Sequence, residues 1–184
     1  GSKKDGNILM NRKKRIQLST TQKIMLSFFC AILVGSILLA LPISSATGEE
    51  VPYIDALFTA TTSICVTGLV TVPTYSTWSI WGQIVILILI QLGGLGIITV
   101  MYGVMMGLHR RLGIGNRRLL QDAFNLNNIS GIVKFLRKVL IGTLVVEGTG
   151  ALLYMTVFIP EYGPRGIWIS IFNAVSAFCN AGMD

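Results

Sequence analysis

Hydrophobic and polar positions in this chain fall in long blocks, not in the short alternations of a half-buried sheet. A basic, polar stretch over 3–19 gives way to an apolar run from Ile24 to Leu41, and Pro42 stops it because proline cannot continue a helix. Thr20 or Thr21 is placed to cap that run. An outer loop over 43–52 follows, with Thr47-Gly48-Glu49-Glu50 as turn material. Pro52 then suits the start of a helix over Tyr53–Thr62, which is too short to cross a bilayer. Val70 to Thr77 returns outward, with Pro73 and Thr74 opposing helix. The next apolar run, Trp78 to Gly107, has 30 residues. As a straight helix it would be about 45 Å long against a core of roughly 30 Å, which predicts tilt, a kink or a projecting inner end. Trp78 and Trp81 suit its outer interface. A polar connection over 109–132 includes Leu119 to Leu126, which suits the membrane surface. A further apolar segment runs from Ile132 to Ile159. Pro160, Gly163 and Pro164 form the next turn, and Arg165 to Ala177 is a second short helix.

Composition places the chain in the membrane class: 52% of residues are hydrophobic, 12% are charged and the mean hydropathy is +0.69. The formal charge of +7 could suggest nucleic acid, but its distribution argues otherwise. Seven Lys and Arg lie between Lys3 and Lys23, seven between Arg110 and Lys138, and none from Ile24 to Leu108. Short basic flanks mark the cytoplasmic side, so the N-terminus is inside, 43–77 outside and 109–132 inside. Both basic clusters would meet anionic leaflet lipids. No nucleic-acid partner is expected. The first apolar run lacks a small-residue cleavage site and reads as a retained span.

Between the first two apolar runs lies Thr61-Thr62-Ser63-Ile64-Cys65-Val66-Thr67-Gly68-Leu69, an uncharged, hydroxyl-rich stretch with a glycine near its end. Non-helical backbone at membrane depth is tolerated only inside protein or beside a wet cavity. The short helix before it would point its partly negative C-terminus into the membrane, which favours a cation. Carbonyls of Cys65, Val66, Thr67 and Gly68 would form one wall of an ion filter, because rings of backbone oxygens replace an ion's hydration shell. Glycine permits the dihedrals that turn adjacent carbonyls toward one axis.

The organisation recurs. Ser63-Ile64-Cys65-Val66-Thr67-Gly68 matches Ala177-Phe178-Cys179-Asn180-Ala181-Gly182, each with Cys three positions before Gly. Carbonyls of Cys179, Asn180, Ala181 and Gly182 would form a second wall. Two walls cannot encircle an ion, so further sequence or a second copy must supply the rest. The expected fold is an all-α polytopic membrane protein of helix–pore-loop–helix repeats, with re-entrant half-helices and non-helical filter loops. Its parts are a basic tail (1–19), a first repeat (20–107), a cytoplasmic connector (108–131) and an incomplete second repeat (132–184).

Three other features have competing readings. Gly93-Gly94 and Gly96, with Gly103 and Gly107, serve either helix packing or flexibility behind the filter. Glu147, deep in the last long run, either pairs with a hydroxyl or backbone group of the bundle or modulates conduction by attracting or gating cations. Cys30, Cys65 and Cys179 fit no metal or disulfide spacing and read as small buried hydrophobes.

The first loop, the glycine-rich Gln91-Leu92-Gly93-Gly94-Leu95-Gly96 and the closing Phe178-Cys179-Asn180-Ala181-Gly182-Met183-Asp184 together resemble the Trk/Ktr/HKT potassium transporter superfamily, most closely the bacterial Ktr branch. The resemblance runs from Thr20 onward and matches the N-terminal portion of such proteins. It implies four repeats around one pore, with Gly68 and Gly182 as the first and second filter glycines. It implies K⁺ held by backbone carbonyls of Val66, Thr67, Gly68, Asn180 and Ala181. It also implies uptake across the bacterial plasma membrane, sodium dependence and no covalently bound cofactor. The partners it implies are the remaining repeats, a second copy in a homodimer, and a cytosolic nucleotide-binding ring of the RCK type, through which alone a nucleotide would act. The chain enters its first repeat without the two leading helices common in Trk members, which favours the Ktr branch. Met183 stands where many members have Phe. The gate-like loop and pore arginine of the family belong to repeats beyond this stretch.

The rivals are a Trk- or HKT-like cation transporter, a two-span channel with one pore loop per chain, a non-conducting assembly fragment and a membrane enzyme. The second half-repeat argues against the two-span channel. The paired re-entrant loops argue against mere assembly. No clustered nucleophile, base or carboxylate set marks an enzyme, and His109, beside Arg110 and Arg111, suits lipid headgroups.

Overall fold

A computed structural model describes residues 19–96, 99 and 129–183. Among the described residues, the bounded α-helices are α1 (Thr20–Ala40), α2 (Tyr53–Cys65), α3 (Thr74–Thr77), α4 (Ile80–Gly94), α5 (Ile129–Tyr162) and α6 (Arg165–Phe178), with a 3₁₀ turn at Pro42–Ser44. No strand occurs among the described residues, and Ser45 and Trp78 form an isolated antiparallel bridge. The basic tail before Ser19, Gly103, Gly107, His109, the Leu119–Leu126 stretch and Asp184 lie outside the described residues.

α1 begins one residue earlier than a Thr20 cap predicts and two earlier than a Thr21 cap predicts. Ser19 is the cap: its hydroxyl accepts from the Gln22 N–H at 3.3 Å, and the Gln22 side chain accepts from the Ser19 N–H at 2.9 Å. This reciprocal box satisfies two orphan donors of the first turn. Pro42 ends the helix as expected and opens the 3₁₀ turn. The outer connection is then stitched to the start of α4. Ser79 N–H donates to Ser44 O, Ala46 N–H donates to Thr77 O, and the Ser79 hydroxyl donates to Ile43 O.

α2 packs between α1 and α4, and α6 packs on α5 and touches α4. The helix α2 runs three residues past its expected end, through Ser63, Ile64 and Cys65. Thr61 and Ser63 turn their hydroxyls back onto the carbonyls of Leu57 and Thr59, so their polarity does not break the helix. Thr74, expected to oppose helix, instead lies in the single turn α3, which Pro73 precedes as cap. The long run from Trp78 is also divided. α4 stops at Gly94, and Gly96 takes φ 78°, a left-handed value that ends a helix. Trp78 is buried in the core, not at an interface, while Trp81 is exposed. Pro160 lies inside the last turn of α5, so the turn to α6 is Gly163-Pro164.

The core joins both halves of the chain. Leu39, Ala56, Ala60, Ile64, Val85, Ile86 and Ile90 cluster with Phe172, Cys179, Ala181 and Met183. Outward faces are apolar: Met25, Phe29, Ile37, Leu144, Leu152 and Leu153 are all exposed. Thr21–Ala40 and Lys134–Tyr162 are long and apolar enough to cross a membrane, and only 17% of the most apolar 18 residues of each is buried within the protein. Apolar surface on the outside of such helices suits contact with lipid.

Gly93 is where α4 meets the end of α2. A Cβ there would overlap the Ile64 carbonyl oxygen and lie 3.0 Å from the Val66 Cγ2. Replacing Gly93 with Val is expected to cost about 1–3 kcal/mol through overpacking, read as a lower thermal midpoint of the detergent-purified protein. Gly142→Ala, where open space surrounds the position, is the neutral control.

Candidate functional site

Each short helix ends in a tight corner, and the two corners share one hydrogen-bond plan. In the first, the Thr67 N–H donates to Thr62 O at 3.1 Å, and the Leu69 N–H donates to the Thr62 hydroxyl at 3.0 Å. In the second, the Ala181 N–H donates to Ser176 O at 2.7 Å, and the Met183 N–H donates to the Ser176 hydroxyl at 2.9 Å. Donor and acceptor in each pair keep the same separation in sequence. One hydroxyl residue near the end of each helix therefore organises the corner that follows.

The extra partners differ. The Thr62 hydroxyl bonds the Thr67 hydroxyl at 2.5 Å, whereas the Ser176 hydroxyl donates to the Met183 carbonyl at 2.6 Å. Serine and threonine are equivalent for this purpose, because each offers one donor and two acceptor lone pairs.

Backbone hand repeats as well. Val66 has φ 55° and Gly68 φ 72°, while Asn180 has φ 60° and Gly182 φ 66°. Thr67 and Ala181, between them, do not share this hand. Left-handed residues at every second position turn successive peptide groups differently from a strand, in which carbonyls alternate between opposite sides. Val66 is the costly member, since β-branched residues rarely take a positive φ. Asn180 pays less, because Asn tolerates the left-handed region.

The two corners meet. A Cβ on Gly68 would overlap the Ala181 carbonyl oxygen and come within 3.7 Å of the Gly182 Cα. Gly68 is thus fixed twice, by its dihedral and by its neighbour. No described atom lies within 4 Å of the corresponding position on Gly182.

Of the residues the sequence singles out, Val66, Thr67, Gly68, Asn180, Ala181 and Gly182 lie in these corners. Cys65 is the last residue of α2, and Cys179 is the C-cap of α6. The cysteines do not form one class: Cys30 and Cys65 are exposed and Cys179 is buried. Glu147 is buried, and its partner is a side-chain amide, not a hydroxyl or backbone group. Gln91 Nε2 donates to Glu147 Oε1 at 2.5 Å. The roles of Thr62, Ser176 and Gln91 escaped the sequence reading. The signal for the first two was a hydroxyl six residues before each loop glycine. Met183, at 2% exposure, accepts the Ser63 hydroxyl on its sulfur at 3.6 Å, which ties the second corner to α2.

A family model described as TrkH, cation transport protein, matches residues 6–184. The potassium/sodium uptake protein NtpJ of Enterococcus hirae is 43% identical over 177 residues, covering 96% of this chain and 39% of that protein. The Ktr system potassium uptake protein B of Bacillus subtilis is 38% identical over 172 residues, covering 93% and 38%. Its namesake in Vibrio alginolyticus is 34% identical over 160 residues, covering 86% and 35%. The chain thus spans well under half the length of these relatives. The family and the relatives are transporters, not enzymes.

Thr62→Val keeps the shape of the side chain and removes the hydroxyl that accepts from Leu69. Its expected cost is about 1–3 kcal/mol for a backbone donor left unpaired. Thr62→Ser should restore most of the loss, with thermal unfolding in detergent as the measurement.

Proposed function

The chain belongs to the TrkH family of cation transport proteins, and from that premise we propose that it is part of the translocating subunit of a Ktr-type potassium uptake system. Ion preference resides in the two corners. K⁺ is held by backbone carbonyls of Val66, Thr67 and Gly68 from the first and of Asn180 and Ala181 from the second. Cys65, Cys179 and Gly182 complete the two filter walls.

The observation that carries this reading is the repeated backbone hand, at Val66 and Gly68 and again at Asn180 and Gly182. Two unrelated loops have no reason to share both a strained dihedral pattern and a hydrogen-bond plan. Potassium needs several oxygens at once in place of water, and carbonyls of non-helical backbone supply them without a formal charge that would hold the ion too tightly. α2 and α6 also end at the corners, so their partial negative charge lies beside the ion path.

Two walls need others. The open side of Gly182 corresponds to the side of Gly68 that faces the Ala181 carbonyl. In the full protein a third loop fits there, and a fourth closes the ring. The Ktr branch is favoured over a Trk- or HKT-like transporter by the names of the relatives. Sodium dependence has support in the potassium/sodium uptake function by which the Enterococcus relative is named. A homodimer in the bacterial plasma membrane, with a cytosolic nucleotide-binding ring on the basic inner face, follows from the same branch. The N-terminus lies on that inner side, as the clustered lysines and arginines require.

The test is potassium uptake by the full-length protein in bacteria that lack their own uptake systems. Gly68→Ser and Gly182→Ser are each expected to lower the preference for K⁺ over Na⁺ by roughly tenfold, equivalent to about 1.4 kcal/mol. Unchanged preference in both variants, at normal amounts in the membrane, overturns the filter reading.

A further inference from the structure

Glu147 lies within the candidate membrane span Lys134–Tyr162, and among the described residues it is the only charged side chain that is buried. Such a group is expensive to keep in apolar surroundings and marks a function by default. Its surroundings indicate which one. Gln91 of α4 donates to Glu147 Oε1 at 2.5 Å. The Cys179 thiol lies 3.9 Å from Gln91 Oε1 and 4.0 Å from Glu147 Oε1, within donating distance of both. A thiol has one proton, so it is shared in a fork between the amide and the carboxyl group. Gly94, one helical turn from Gln91 on α4, also presses on Cys179: a Cβ there would lie 2.7 Å from both the Cβ and the Sγ of Cys179.

Cys179 caps α6 and immediately precedes Asn180, where the left-handed turn begins. Three elements therefore converge on a single residue at the root of the second corner. α5 contributes the acid, α4 contributes the amide and the glycine, and α6 contributes the thiol. We propose that Glu147 is a positioning residue, which with Gln91 clamps Cys179 and thereby sets the orientation of the Asn180–Gly182 carbonyls. This rests on the filter reading given above. Its alternative is direct attraction of cations by a fixed charge.

The two ideas separate by chemistry. A clamp needs an oxygen at position 147 and an amide at 91, whereas an attractor needs a carboxylate. The experiment uses the full-length protein in the uptake assay, with K⁺ over Na⁺ preference, half-saturation and maximal rate measured separately. Glu147→Leu and Gln91→Leu should each lower the preference by roughly fivefold, and the double variant should be no worse than the poorer single one, as for partners in one interaction. Glu147→Gln keeps an acceptor for the Gln91 amide and should recover most of the preference. In a full-length background with every cysteine other than Cys179 replaced by Ala, Gln91→Leu should also speed labelling of Cys179 by a membrane-permeant maleimide. The labelling readout holds even if Glu147→Leu fails to fold.

If Glu147→Gln is as damaging as Glu147→Leu, the residue acts by its charge and the clamp is overturned. The clamp is equally overturned if Gln91→Leu changes neither ion preference nor labelling. Gly182→Ser in the same assay distinguishes the two levels. A preference that responds to Gly182 but not to Gln91 or Glu147 refutes the clamp alone, whereas a preference blind to Gly182 as well refutes the filter beneath it.

Discussion

Buried peptide groups at a helix end must find partners, and this requirement shapes the structure around α2 and α6. The last turn of any helix leaves carbonyls without intrahelical donors. A buried group left unpaired there costs about as much as a lost hydrogen bond. Both corners solve the problem in the same way. The carbonyl of Thr62 or Ser176 receives one later N–H, and the hydroxyl of the same residue receives another. In the proposed filter, the donors absorbed on one side leave other carbonyls of the corner to face the ion. A helix end capped by a following side chain or by solvent would not leave that arrangement.

The second constraint is steric, and it falls on α4. Gly93 lies under the end of α2, and Gly94 lies under Cys179. Adjacent residues on a helix point about 100° apart, so two neighbouring glycines open two different faces. One helix end thereby serves as a wall for both corners. Within the glycine run, Gly93 and Gly94 are contact surfaces, and Gly96 takes a positive φ just past the end of α4.

Much of this was legible in the sequence. Long apolar blocks and the prolines beside them located α1, α2, α5 and α6 to within a few residues, but not the single turn α3. The Cys-x-x-Gly spacing brought the two corners into register. What could not be read was decided by contacts between distant residues. α2 continues through Ser63 because the hydroxyls of Thr61 and Ser63 fold back onto the helix, which depends on its being buried. Trp78 reads as an interfacial residue from its place at the head of an apolar run. In the structure the bridge from Ser45 draws it into the core. Glu147 announced itself as unusual, but its partner is 56 positions away in the chain, on Gln91. No local pattern specifies such a pairing.

The burial of Met183 and Ala181 against Ile64 and its neighbours has a consequence for biogenesis. Ribosomes add roughly 5–20 residues per second, so the opening helices wait several seconds for the segment that seals them. Throughout that interval the inner flank of α2 is bare. Completion of this core is therefore timed by synthesis downstream.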